Sequence, residues 1–194
     1  MNGEGSFASR GRQQIVVSGL GGQGVLFVTR LLAETAIRKG ASVLTSETHG
    51  MAQRGGVVVS HLKVGDFSSP LVRASQADGL IVLSAENFSF HRRFLKTSGW
   101  AIVNAPPGSQ GGGNMNVHAV DADGLAQESG NPRSVNLILL GYALSMPGAR
   151  EEGGLLFCSP EDVEAALRRR LEAKDTLLAA SLSALALGMK QGKR

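Results

Sequence analysis

Residues 15–25 read Ile-Val-Val-Ser-Gly-Leu-Gly-Gly-Gln-Gly-Val, and the fold follows from this stretch. Its β-branched first half predicts a strand that stops at the first glycine. Apolar residues then recur at helical spacing over 23–39, where a Lys-Gly pair ends the predicted helix. Residues 41–45 return as a strand. The three segments form one strand–helix–strand unit, and such crossovers join parallel strands with right-handed topology.

The rest of the chain continues to alternate between strands and helices. Further strands are predicted at 57–64, 79–84, 100–104 and 117–121, and further helices at 85–95, 134–145, 160–171 and 174–189. This alternation predicts an α/β fold, a single Rossmann-like, doubly wound, mostly parallel sheet with helices on both faces. We expect residues 1–12 to be a disordered tail and residues 13–190 to form one domain.

Composition excludes several kinds of function. Cys158 is the single cysteine, so this chain alone cannot form a disulfide or a four-cysteine iron–sulfur or zinc site. The formal charge of +4 comes from scattered basic residues, which indicates solvated helix faces and no nucleic-acid partner. No apolar run approaches the roughly 20 residues of a membrane span. We therefore expect no membrane partner, and the single free cysteine fits a cytoplasmic location.

The glycine loop, residues 19–24, fits the pattern G-x-G-x-x-G between a strand and a helix. Glycines at these positions allow a tight turn and let backbone N–H groups approach an anion at the helix N-terminus. The alternative is that they only permit close packing of helix on strand. Gly21, Gly22, Gln23 and Gly24 are the candidate contact residues of this loop.

The second loop, residues 45–56, is unusually rich in functional side chains. Glu47, His49, Gln53 and Arg54 bring together a carboxylate, an imidazole, an amide and a guanidinium. A loop at the carboxyl ends of the strands would lie beside the glycine loop, in the crevice where open α/β sheets bind ligands. The alternative is a loop whose polar groups bond their own backbone and a neighbouring subunit. Asn136, at the start of an apolar helix, is a further candidate for a contact in this crevice.

The two loops together resemble the gamma-type subunits of 2-oxoacid:ferredoxin oxidoreductases. The decisive pair is GLGGQGV at 19–25 and SETHGMAQRGG at 46–56, in the form found in the small (beta) subunit of indolepyruvate oxidoreductase. The similarity continues through 60–61, 69–70, 77–78 and 136–141 and covers about residues 13–190. The loops at 108–115 and 147–154 depart from the family pattern, which leaves room for a divergent substrate.

This resemblance implies a subunit that works only inside a complex. Such enzymes decarboxylate a 2-oxoacid on thiamine diphosphate with Mg, pass electrons through iron–sulfur clusters to ferredoxin and release the acyl group to coenzyme A. The gamma-type chain is expected to bind none of these cofactors alone and to pack on partner subunits that carry thiamine diphosphate and iron–sulfur clusters. Ferredoxin would be an indirect partner. We assign no catalytic residue and no metal ligand to this chain.

Two other functions fit parts of the sequence. The glycine loop, with Glu47 placed 23 residues after Gly24, also fits a free-standing NAD(P)-binding enzyme in which this carboxylate binds a ribose. The lack of a complete catalytic set also fits a non-catalytic interaction module.

Overall fold

The computed structural model describes residues 12–49, 55–109, 116–148 and 154–193, and for His49 its backbone alone. Within these ranges the strands are β1 (Gln13–Leu20), β2 (Val43–His49), β3 (Val57–Val64), β4 (Ala77–Val82), β5 (Leu95–Asn104) and β6 (Asn116–Val120). The α-helices are α1 (Val25–Arg38), α2 (Phe88–His91), α3 (Ala122–Glu128), α4 (Val135–Ser145), α5 (Pro160–Arg170) and α6 (Asp175–Gly192). Short 3-10 turns at Ala85–Asn87 and Arg92–Phe94 flank α2.

The strands form one sheet in the order β2-β3-β1-β4-β5-β6. β1, β4, β5 and β6 pair in parallel, whereas β3 is antiparallel to both β1 and β2. The predicted mostly parallel α/β sheet is therefore confirmed. The predicted strand–helix–strand unit does join parallel strands, β1 and β2, but β3 lies between them in the sheet. The connection from β2 to β3 is too short for the crossover that parallel neighbours require, so β3 turns back and pairs with both.

One face of the sheet, called here the front face, carries α1, α3, α4, α5 and α6. Ile15 and Val17 of β1 project into this larger hydrophobic core, as do Leu62 and Val64 of β3. Helix α4 is buried along most of its length and packs closely on α6. A Cβ atom on Gly188 would lie 1.9 Å from the carbonyl oxygen of Ile138, so the two helix backbones approach at this glycine.

The opposite face, called the back face, carries shorter elements. Val16, Leu80, Val82 and Val103 form its core together with Phe88 of α2 and Val72 of the segment 65–76. Helices therefore cover both faces. On the back face, the short helix predicted at 85–95 is present as the helical segment 85–94, in which a 3-10 turn lies on each side of α2.

Some element boundaries differ from the sequence-based expectation. β2 extends to His49, so Glu47 lies within the strand and not after it. β5 begins at Leu95, five residues before the predicted start. Helix α3 has no counterpart among the predicted helices; the Asp121 side chain caps it by accepting from the Gly124 N–H at 2.8 Å. Helix α5 begins after Ser159, which is its N-cap, and Asp162 completes a capping box there.

The tail predicted at 1–12 lies outside the described residues except for Arg12. Most of the glycine-rich loop at 108–115 and of the segment at 147–154 also lies outside them.

Candidate functional site

The candidate site lies at the top edge of the sheet, defined here as the edge where β1 ends at Leu20. β2 and β4 are parallel to β1, so their carboxyl ends meet at this same edge, and antiparallel β3 begins there. Gly21 donates its N–H to the carbonyl oxygen of Gly56 at 2.9 Å. This bond holds the end of the second loop beside the glycine loop, as the sequence predicts.

The glycine loop uses several of its own polar groups to hold its shape. The Leu20 N–H donates to Gln23 Oε1 at 2.7 Å, and the Gln23 N–H donates to the Leu20 carbonyl oxygen at 3.1 Å. With the Gly21 N–H also bonded, three donors that could bind a phosphate are already in use. The geometry therefore favours the packing alternative over a phosphate cradle. Gly21 and Gly22 remain exposed and present a surface without side chains.

Gly24 joins this loop to helix α4. It is the N-cap of α1 and has a φ of 85°, in the left-handed region that favours glycine. A Cβ atom at Gly24 would lie 2.1 Å from Nδ2 of Asn136. Asn136 is buried in the first turn of α4, and its Oδ1 accepts from the Leu137 N–H at 2.8 Å. The structure thus brings Asn136 to the glycine loop, where its described contacts are with the protein itself.

The second loop is described only at its two ends. The Glu47 side chain lies 3.6 Å from the guanidinium of Arg30 on α1, which places it on the front face. Gln53 and Arg54 lie outside the described residues, as does the side chain of His49. Glu47 is therefore the predicted contact residue of the second loop whose side chain is described, whereas Asn136 and all four candidates of the glycine loop are described.

The position of Glu47 bears on the dinucleotide alternative. A ribose-binding carboxylate stands at the end of the strand next to β1. Here antiparallel β3 occupies that place, so β2 lies two strand spacings, roughly 10 Å, from β1. Glu47 lies within β2, and its carboxylate already pairs with Arg30 of α1. The sheet order therefore argues against a Rossmann-type NAD(P) site.

A buried histidine cluster on the back face has no counterpart in the sequence-based expectations. The Ser18 hydroxyl lies 2.7 Å from His91 Nδ1, and the His91 ring stacks on Phe94 with a centroid distance of 6.2 Å. His61 contacts the same phenyl ring edge-on at 5.3 Å. Burial lowers the pKa of His91, and the charge of Arg93 lowers it further.

The contacts of this cluster hold α2 and its flanking turns against strands β1 and β3. Ser18 is fully buried and His91 is 8% exposed, so a substrate cannot reach the pair. The sequence holds no local signal for it, because the residues come from separate strands and a short helix and show no ligand-like spacing.

The described ranges contain no group of three or more His, Cys, Asp or Glu side chains arranged to hold a metal ion. No helix within them is long and apolar enough to cross a membrane.

Comparison with known proteins places this arrangement in a family context. A protein-family model described as pyruvate ferredoxin/flavodoxin oxidoreductase matches residues 14–191. The indolepyruvate oxidoreductase subunit IorB of Archaeoglobus fulgidus is 32% identical over 203 aligned positions, which cover 93% of this chain and 95% of that protein. The pyruvate synthase subunit PorC of Methanothermobacter thermautotrophicus is 30% identical over 70% of this chain and 76% of that protein.

Solved structures show the same fold. The gamma subunit of a keto/oxoacid ferredoxin oxidoreductase from Geobacter sulfurreducens superimposes with a TM-score of 0.74 at 24% identity, covering 93% of this chain and 98% of that one.

Proposed function

Because the chain belongs to the pyruvate ferredoxin/flavodoxin oxidoreductase family, we propose that it is the small subunit of a 2-oxoacid:ferredoxin oxidoreductase acting on indolepyruvate or a related acid. The observation that carries this proposal is the end-to-end match with an indolepyruvate oxidoreductase subunit of nearly the same length. The substrate class follows that relative, and the fold is common to gamma subunits.

The chemistry of the reaction belongs to the partner subunits in this proposal. There, thiamine diphosphate with Mg would supply the chemistry of decarboxylation, iron–sulfur clusters would supply electron transfer to ferredoxin, and coenzyme A would be the acyl acceptor. This chain does not fit an iron–sulfur cluster, since it has one cysteine and Cys158 is buried. Its contribution is structural, a surface that completes the assembly around the thiamine-carrying subunit.

We assign that contact surface to the top edge of the sheet. Gly21 and Gly22 are exposed, and their lack of side chains lets a partner backbone approach closely. Gln23, Gly24 and Asn136 support the loop from beneath, and Glu47 stands at its border. From the sequence we add His49, Gln53 and Arg54, whose loop returns to Gly56 beside Gly21.

Reconstitution tests the proposal directly. The chain is co-expressed with the thiamine- and cluster-carrying subunit from the same cells, and ferredoxin reduction is followed with a panel of aromatic and aliphatic 2-oxoacids plus coenzyme A. We expect a stoichiometric complex that reduces ferredoxin fastest with indolepyruvate and loses activity when this chain is omitted. Full activity without it would indicate an interaction module instead. Micromolar binding of NAD(P) to the chain alone would support the dinucleotide alternative.

A further inference from the structure

Three cationic side chains line one open cavity at the end of the sheet opposite the glycine loop. Lys63 lies near the end of β3, Arg12 immediately precedes β1, and Arg73 belongs to the back-face segment. We call the space between them the basic cavity; its volume is about 750 Å³. Ser68 and Ser69 also line it, and Asp66 adds a carboxylate. Among the described residues that line it, three carry a positive charge and one carries a negative charge.

Lys63 is held firmly in the wall of this cavity. Its backbone pairs with Gln14 of β1, and the residue is only 7% exposed. Its Nζ lies 5.0 Å from the centroid of the Phe67 ring, and the Arg12 guanidinium lies 4.2 Å from the same centroid. The Phe67 ring thus makes cation–π contacts with two cations that both line the basic cavity.

The charge of Lys63 is not neutralised within the described part of the chain. No carboxylate there forms an ion pair with it. Burial lowers the pKa of Lys63, and the positive charges of Arg73 and Arg12 lower it further. Like charges gathered around a buried ammonium destabilise the fold, and an anion that enters between them relieves that repulsion.

We propose that the basic cavity binds the phosphate or pyrophosphate group of a small molecule. Arginine guanidinium groups bind phosphate oxygens through paired hydrogen bonds, and serine hydroxyls add neutral donors. The cavity is open, and its volume of about 750 Å³ is large enough for a small molecule, which favours such a ligand over a flat protein partner. The site is separate from the top-edge surface assigned to subunit contact.

Isothermal titration of the full chain with sodium pyrophosphate tests this site, with sodium chloride of equal ionic strength as the reference. We expect one pyrophosphate per chain and a rise in the melting temperature that sodium chloride does not reproduce. Arg73→Ala removes an exposed side chain and is expected to weaken binding about tenfold. Lys63→Met keeps the length of the buried side chain without its charge, and is expected to weaken binding at least as much. Arg168→Ala, on the exposed face of α5, is the matched control and should bind like the wild type.

Titration with ADP identifies the source of the phosphate group. Binding of ADP more tightly than pyrophosphate supports a nucleotide-type ligand, and equal affinities support a site for the pyrophosphate group alone. The proposal is overturned if pyrophosphate has no effect beyond that of sodium chloride. It is also overturned if Lys63→Met and Arg73→Ala, both folded by circular dichroism, bind pyrophosphate as the wild type does.

Discussion

Asn136 and Gly24 are in such close contact that no side chain fits between them. A Cβ atom at Gly24 would lie 2.1 Å from Asn136 Nδ2 and 3.1 Å from its Cγ. This contact couples the N-terminus of α1 to the first turn of α4. The position of the glycine loop therefore depends on a residue more than a hundred positions away in the chain.

Gly24→Ala is expected to lower the free energy of unfolding by about 2–4 kcal/mol, because the new methyl group meets Asn136 and a left-handed φ is unfavourable for alanine. Urea denaturation of the full chain measures this change. Gly22→Ala is the matched control, since Gly22 has a φ of 96° but no atom lies within 4 Å of the added Cβ. This control should lower the free energy of unfolding by only about 1 kcal/mol.

The double variant Gly24→Ala, Asn136→Ala separates the clash from the backbone strain. Removing the Asn136 amide makes room for the methyl group, so the two substitutions should be less destabilising together than their separate effects predict. If the changes in the free energy of unfolding simply add, the contact between Gly24 and Asn136 does not contribute to the destabilisation.

Gln13 is expected to be one of the most sensitive polar residues of the front face. It is 1% exposed, its Nε2 donates to the Leu155 carbonyl oxygen at 2.7 Å, and its Oε1 accepts from the Phe157 N–H at 3.0 Å. Gln13→Leu leaves both backbone groups buried without a partner and should lower the free energy of unfolding by about 2–5 kcal/mol. Gln127→Leu, at an exposed position on α3, is the control for the change in side-chain chemistry. Similar stabilities for the two variants would contradict this role.

Acid should destabilise the fold through three histidines, of which His61 and His91 are buried and His118 is partly buried. Burial lowers the pKa of His61, His91 and His118 below the ordinary value of 6.5, so the folded state keeps them neutral where the unfolded chain takes up protons. The stability they contribute is present above pH 6.5. It is lost as the pH falls from 6.5 toward their lowered folded pKa values, by up to about 1.4 kcal/mol per pH unit for each histidine.

Urea unfolding at pH 7.5, 6.5 and 5.5 measures this dependence. His91→Asn is expected to reduce the slope of the free energy of unfolding against pH, because one titrating ring is removed while a polar group remains beside Ser18. A variant with the slope of the wild type would show that His91 does not titrate differently on folding.

Arg54→Ala tests the contact surface proposed for the top edge. We expect the variant chain to fold normally but to assemble poorly with the thiamine-carrying subunit or to support less acyl transfer. Assembly is measured by co-elution and turnover by ferredoxin reduction, with Arg168→Ala on α5 as the control. Unchanged assembly and turnover would remove Arg54 from the proposed surface without affecting the subunit assignment.

Local sequence patterns were sufficient for most elements of the fold. The β-branched run before the glycine loop, the periodicity of α1 and the capping box at Ser159 each depend on residues within one turn or one strand of each other. Such patterns act through backbone preferences and the burial of one face, which are the same in any fold. For this reason the strands and long helices were predicted close to their observed positions, whereas the short helix α3 was missed.

The tertiary structure alone decided which distant residues meet. It placed β3 between β1 and β2, which moved Glu47 away from a ribose-binding position. It set Asn136 against Gly24 and gathered Arg12, Lys63 and Arg73 around one cavity. These contacts depend on strand order and helix packing, whose free energies are summed over the whole chain, so no short stretch of sequence encodes them.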